Sequence, residues 1–409
     1  MNITSQIVAL SSAVAFALQI ALALLMLRYF SPEEVGVFSV ISQIGFFWTT
    51  LALAQTPLLL LANHGGSVFD DARHAWVSSL QRFVWLSPVA ALAVWCSGLS
   101  FVNALLWALL LSLCQLTWML AQSMRLRMEG VWAQAGVRVL PPLMALLVAA
   151  TAVFMQLSGP ALLAAALLGY AMGAAWLLPS LLANRPAQFD NVSTKPDKAA
   201  LLPALQVPSH VAIASVSGDN RSDTLRMAHT LADALLATAI VVVWQRMYGA
   251  QETGWMAAPL RVMGFVPAVV HMAWAQVLLA QPHYARTDPL RVGLAGFASV
   301  ALLGAGCAVA LGMGWLGEHW QGVSPYLLPL VVWQGSACLV NAFSHLPFET
   351  KTARTFSLVC VGVAILQGVV LLAPTSANML ITPSNHIAWF GAVSAISFFS
   401  VYLWLKQFK

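Results

Sequence analysis

The sequence predicts an all-α membrane protein, with twelve transmembrane helices in two parallel six-helix lobes around a central cavity. Three observations predict it. Of 409 residues, 60% are hydrophobic and only 8% are charged, against roughly 25% charged in an ordinary globular domain. Apolar runs long enough to cross a bilayer recur along the whole chain, and Lys and Arg collect in alternate connections. A soluble chain of this size could not cover its surface with so few charges, so a soluble enzyme is excluded.

A crossing needs roughly 20 apolar residues. Such runs fall near 7–27, 37–61, 82–98, 101–122, 131–156 and 160–183, then near 226–247, 256–280, 291–315, 324–345, 355–373 and 386–405. The first run lacks a basic n-region and is read as a span, not a cleaved signal. Between the two sets lies 184–224, with Arg185-Pro186, Lys195-Pro196-Asp197-Lys198, Pro203 and Pro208. Prolines at that density argue against a long helix. The expected organisation is therefore a first lobe at 1–183, a cytoplasmic linker at 184–224 and a second lobe at 225–409. Every other connection is too short for a folded catalytic domain.

Orientation follows from the cations. Of the 19 Lys and Arg, Arg28 and Arg246 fall on one side of this layout, and Arg138 and Arg261 fall within spans. The other fifteen fall on the opposite side. The positive-inside rule then puts both termini in the cytoplasm. One missed or invented span would scramble this alternation.

The two halves also echo each other. Phe30-Ser31-Pro32-Glu33-Glu34-Val35-Gly36-Val37 follows the first run, and Tyr248-Gly249-Ala250-Gln251-Glu252-Thr253-Gly254-Trp255 follows the seventh, 218 positions later. An aromatic, an acidic residue and a glycine recur in register at equivalent points of the topology. Six spans in each half keep the two repeats parallel, with a pseudo-axis along the membrane normal.

Arg28-Tyr29-Phe30-Ser31-Pro32-Glu33-Glu34-Val35-Gly36-Val37-Phe38 resembles the turn after the first helix in Wzx-type O-antigen and capsule flippases. These belong to the multidrug/oligosaccharidyl-lipid/polysaccharide exporter superfamily. The second-half turn resembles its family counterpart, although Ser31 stands where glycine is commoner and Ala250 where proline could recur. The resemblance implies a task, moving a lipid-linked oligosaccharide on undecaprenyl pyrophosphate from the cytoplasmic to the outer leaflet of a bacterial inner membrane by alternating access. It also implies a polysaccharide polymerase and a chain-length regulator as candidate partners, with membrane lipids around the protein. It implies no cofactor, and no basic cluster interleaved with aromatics points to nucleic acid.

An ionisable group at bilayer depth costs roughly 2.5–3.5 kcal/mol on insertion scales unless paired or hydrated, so each such group needs a reason. Asp233, His229 and Arg226 share one helical stripe of the seventh run. Arg138 enters the fifth run from the same side, with Gln134 one turn earlier and Pro141-Pro142 after it. Two readings stand: an Arg138–Asp233 pair that only supports folding, or a hydrated face. In the second, Arg138 attracts pyrophosphate through its forked donors, while Asp233 and His229 couple transport to a proton or another cation. Arg261 in the eighth run corresponds to Gln43 in the second at the repeat offset.

Because the resembled family lines its cavity with the first two helices of each lobe, Gln19, Gln43, Thr49, Gln55, Arg261, His271 and Gln276 become cavity candidates. Against this, Arg261 could snorkel to the outer headgroups, Gln and Thr could bridge helices, and His271 could be an interhelical histidine. Pro57, Pro88, Pro259, Pro267 and Pro329 are expected to bend their helices, as gates or as fixed kinks.

Other signals are set aside. Gly312-Met313-Gly314-Trp315-Leu316-Gly317 spells a dinucleotide fingerprint but ends an apolar span with no preceding strand. The five scattered cysteines have no paired or metal-ligand spacing. Two rival functions remain. A multidrug cation antiporter would share the architecture but should have a carboxylate-dominated cavity. A membrane-embedded polysaccharide polymerase should carry catalytic groups in a large outer loop.

Overall fold

The structure, a computed structural model, describes residues 3–54, 56–57, 60, 67–128, 131–157, 159–177, 220–271, 288–349, 352–376 and 381–407. Among these residues the regular structure is entirely helical. The N-terminal half contains α1 (Ile3–Tyr29), α2 (Pro32–Leu53), α3 (Val68–Trp85), α4 (Ser87–Ser97), α5 (Phe101–Arg127), α6 (Val131–Phe154) and α7 (Ala161–Ala174). The C-terminal half contains α8 (Asn220–Val270), α9 (Pro289–Gly312), a 3₁₀ turn (Glu318–Val323), α10 (Ser324–Phe343), α11 (Leu346–Glu349), α12 (Ala353–Ser376) and α13 (Pro383–Lys406).

Eight of the described helices are long and apolar enough to cross a membrane, or nine if the bent pair α3–α4 counts as one span. Shorter apolar stretches lie at Ala13–Tyr29 and in α7. Large apolar side chains stand exposed along these helices, among them Trp85, Val102, Leu302 and Ile396. In water such a surface would aggregate; against lipid tails it is the matched one. The chain is a multi-span membrane protein.

Three local features differ from the sequence expectation. The third apolar run begins as a more polar helix at Val68, capped by Ser67, and bends by 48° where α3 gives way to α4 at Ser87-Pro88. Helix α8 covers two predicted runs. At about 1.5 Å per residue its 51 residues are far too long for one crossing, and the helix breaks at Gly249, where φ is 86°. The residues after the break, 250–270, form a second arm. That second arm also starts about six residues before the run expected at 256–280. The linker at 184–219 falls outside the described residues.

Helix α2 begins with a capping box: Ser31 Oγ accepts from the Glu34 N–H, and Glu34 Oε2 accepts from the Ser31 N–H at 3.0 Å. The other Glu34 oxygen accepts from the N–H of Gly159 at 3.2 Å, tying the α1–α2 turn to the α6–α7 connection. Loop contacts sort the connections into two groups. Arg28 and Trp315, Glu34 and Gly159, and Trp255 and His319 join loops of one end. Arg127 joins Asp71 at 2.6 Å and the Leu60 carbonyl at the other end, where His271 meets Ser344. None of these contacts crosses from one end to the other.

The two halves meet chiefly where α2 packs on α8, and the approach is close enough to require glycine on both sides. A methyl group on Gly36 would stand on the Ala250 carbonyl, 2.9 Å from its carbon and 3.0 Å from the Gly254 nitrogen. A methyl group on Gly254 would stand on the Pro32 carbonyl, 2.6 Å from its carbon. Gly36 and Gly254 are equivalent in the repeat, as are Pro32 and Ala250, so the contact is its own mirror: each glycine rests on the other half's first-turn carbonyl.

Candidate functional site between the halves

Below this contact, α2 and the second arm of α8 bring Arg261 and Ser42 together. Arg261 lies eleven residues beyond Ala250, about 16 Å into the helix, and Ser42 lies ten beyond Pro32, about 15 Å in. Arg261 Nη2 donates to Ser42 Oγ at 3.0 Å, and the guanidinium lies over the Phe38 ring, 4.6 Å from its centroid. Arg261 lies about three turns into its arm of α8.

A cavity of about 10 Å³, room for one water, adjoins the Arg261 side chain and is lined also by Ala23, Met26, Leu27, Val35, Ser39 and Ala258. The Ser39 hydroxyl is buried and makes no hydrogen bond. Four residues further along α8, Phe265 stacks on Phe16 of α1 at 4.2 Å with the planes 13° apart. Arg261 thus sits between a backbone contact at one end and a stacked aromatic pair at the other. An arginine held by a neutral hydroxyl and a ring, with no acidic partner among these contacts, keeps its charge available for an anion.

The remaining sequence candidates spread more widely. Gln43 is half-buried beside Ser42 on α2, and Gln19 is exposed on α1. Gln55 and Gln276 lie outside the described residues. Gln134 is buried, and its Nε2 donates to the Leu126 carbonyl at the end of α5. Thr49 donates to the Ser112 carbonyl at 3.0 Å and joins α2 to α5 within the first half. His271 Nδ1 meets Ser344 Oγ at 3.3 Å. Asp233 is exposed and meets His229 Nε2 at 3.1 Å on its own helix, and the His229 ring stands edge-on to Phe356. Arg138 is half-buried on α6, a helix that packs on α1 and α7.

Sequence reasoning missed a polar aromatic group in the second half. Tyr326 donates to Glu252 and is itself met by Trp244 Nε1 at 3.4 Å, while Tyr248 and His386 Nδ1 lie 2.9 Å apart. Trp244 stacks on His386 at 4.7 Å, and Trp244, Tyr326 and His386 are fully buried. The repeat carried the signal. Glu252 corresponds to Glu34, but Gly249 stands where Ser31 caps the first half, so the second glutamate has no capping hydroxyl opposite it and takes Tyr326 instead. The repeat also extends to Arg28 and Arg246, again 218 apart.

No family model and no curated protein matches the chain. Among solved structures, one described as "Lipid II flippase MurJ, inward closed conformation" superposes with a TM-score of 0.61 at 9% identity, covering 98% of this chain and 87% of that one. A second, described as an inward-facing multidrug resistance MATE family transporter of the MOP superfamily, gives a TM-score of 0.48 at 13% identity over 100% and 94% of the two chains. At such identities the first likeness is one of fold, and the chain is therefore a membrane protein with the fold of a lipid II flippase structure.

Proposed function

We propose that the chain is a flippase that carries a lipid-linked oligosaccharide, on undecaprenyl pyrophosphate, across a bacterial inner membrane by alternating access. The architecture in this reading is twelve spans in two six-helix lobes, with both termini cytoplasmic. The sorting of loop contacts into two ends supports it, since each joins connections that the alternation puts on one face. The observation that carries the function is Arg261: a cation about 16 Å deep, shared between the halves, bound by a hydroxyl rather than a carboxylate. Exposed between the halves and without a carboxylate among these contacts, such a group favours an anionic head and disfavours a cation. The lipid tail remains in the bilayer against the exposed apolar faces.

Arg138, Gln134, Gln43, Gln55 and Gln19 complete the proposed cargo path, and Asp233 with His229 is the proposed coupling pair. Deleting the gene and locating lipid-linked repeat units tests the reading. Accumulation on the cytoplasmic face is the expected outcome. Unchanged export with increased sensitivity to cationic drugs supports the antiporter instead, and single repeat units displayed on finished surface lipid support a polymerase.

A further inference from the structure

We propose that the Gly36–Ala250 and Gly254–Pro32 contacts form the outer gate of the protein, a two-fold clasp that Arg28 latches on one flank. The inference deepens the flippase reading and rests on it for direction, because the cation count places these turns on the outer face. Both central contacts are backbone on backbone. Closing them requires that neither glycine carry a Cβ.

The flanks are built from the second equivalent pair. Arg28 donates from Nη1 to the Trp315 carbonyl and lies over the Trp315 ring, 5.9 Å from its centroid, so the first half is pinned to the loop after α9. Arg246 reaches the corresponding loop of the first half, after α4. There its Nη1 comes within 2.9 Å of where a Cβ on Gly98 would be. Each arginine thus extends into the other half's loop. Both arginines are exposed, and Arg246 borders a cavity of about 200 Å³ lined also by Trp95, Gly98, Leu99 and Phe101. The clasp is symmetric at its centre and latched by a carbonyl hydrogen bond at Arg28.

A clasp of this kind holds the outer end shut over the buried Ser39. Parting it would expose that hydroxyl to the outer face without unfolding either helix. The Arg28 latch, at the rim, would then set how often the gate opens, since removing it takes away one charge-assisted bond while leaving the central fit intact.

The test uses the full chain in membrane vesicles or cells, with the five native cysteines replaced and Ser39→Cys as reporter. A membrane-impermeant maleimide is applied from the outer side. Labelling should be slow in this background, at least about tenfold faster in Gly36→Leu, and about two- to fivefold faster in Arg28→Ala, whose fold the substitution leaves intact. A second arm joins Pro32→Cys to Ala250→Cys with a cleavable bis-maleimide. Linked protein should stop exporting and recover on cleavage. Labelling rates unchanged in both variants, or full export by linked protein, would overturn the gate. The labelling arm reads no cargo, so loss of the flippase reading with faster labelling intact is a distinguishable result.

Discussion

Arg261 and Ser42 meet across the two halves at matching depths, with 3.0 Å between Nη2 and Oγ. Their positions differ by 219, one residue off the repeat offset of 218, so each stands near the other's place in its own half. The cation belongs to one copy and its hydroxyl partner to the other. The site is an asymmetry laid on a symmetric frame.

Arg261→Ala is expected to lower export about 10- to 100-fold with membrane levels unchanged, since a charge-assisted bond contributes roughly 1.5–3 kcal/mol. Arg261→Lys should recover only part, because an ammonium lacks the planar fork. Quantifying lipid-linked repeat units in the outer leaflet alongside immunoblots of the membrane decides it. Full export by the alanine variant would remove Arg261 from the cargo path.

Arg138→Ala separates the two readings left open by the sequence. If Arg138 serves the cargo, export falls at least about tenfold while the protein persists in the membrane. Disappearance of the protein assigns the residue to folding, where an uncompensated neighbour is left behind.

Asp233→Asn should slow export severalfold and flatten its dependence on cytoplasmic pH, because it removes the carboxylate 3.1 Å from His229 Nε2 and so breaks the proposed coupling pair. Transport measured over pH 5.5 to 8.5 in vesicles checks this. A parallel loss at every pH speaks for a structural pair.

Tyr326→Phe removes the hydroxyl between Glu252 and Trp244 and leaves the buried Trp244 N–H and the half-buried Glu252 carboxylate without that partner. A destabilisation of about 1–3 kcal/mol is expected, read as a lower unfolding midpoint in detergent. An unchanged midpoint would mean that water takes over both bonds.

The apolar runs foretold where the helices lie, because bilayer thickness imposes a length that composition alone reveals. The turn at 30–37 and its Gly36/Gly254 echo were legible for a different reason: turns draw on few residue types. Three features were not legible. Hydropathy started the eighth run at 256 because Gln251, Glu252 and Thr253 are polar, although they already occupy the helix. The bend before α4 hid the polar helix that precedes it, since Asp70, Asp71, Arg73 and His74 look like loop. The partners of Gln134 and Thr49 depend on which helices neighbour each other, and no single-chain periodicity encodes that.

A seam made of carbonyls against α-hydrogens asks almost nothing of the residues around it. Apart from Arg28, the side chains along the outer rim could be exchanged without disturbing the central fit, provided two positions stay bare. The shape of the seal is carried by the main chain, and the surrounding surface is left free to change with the load.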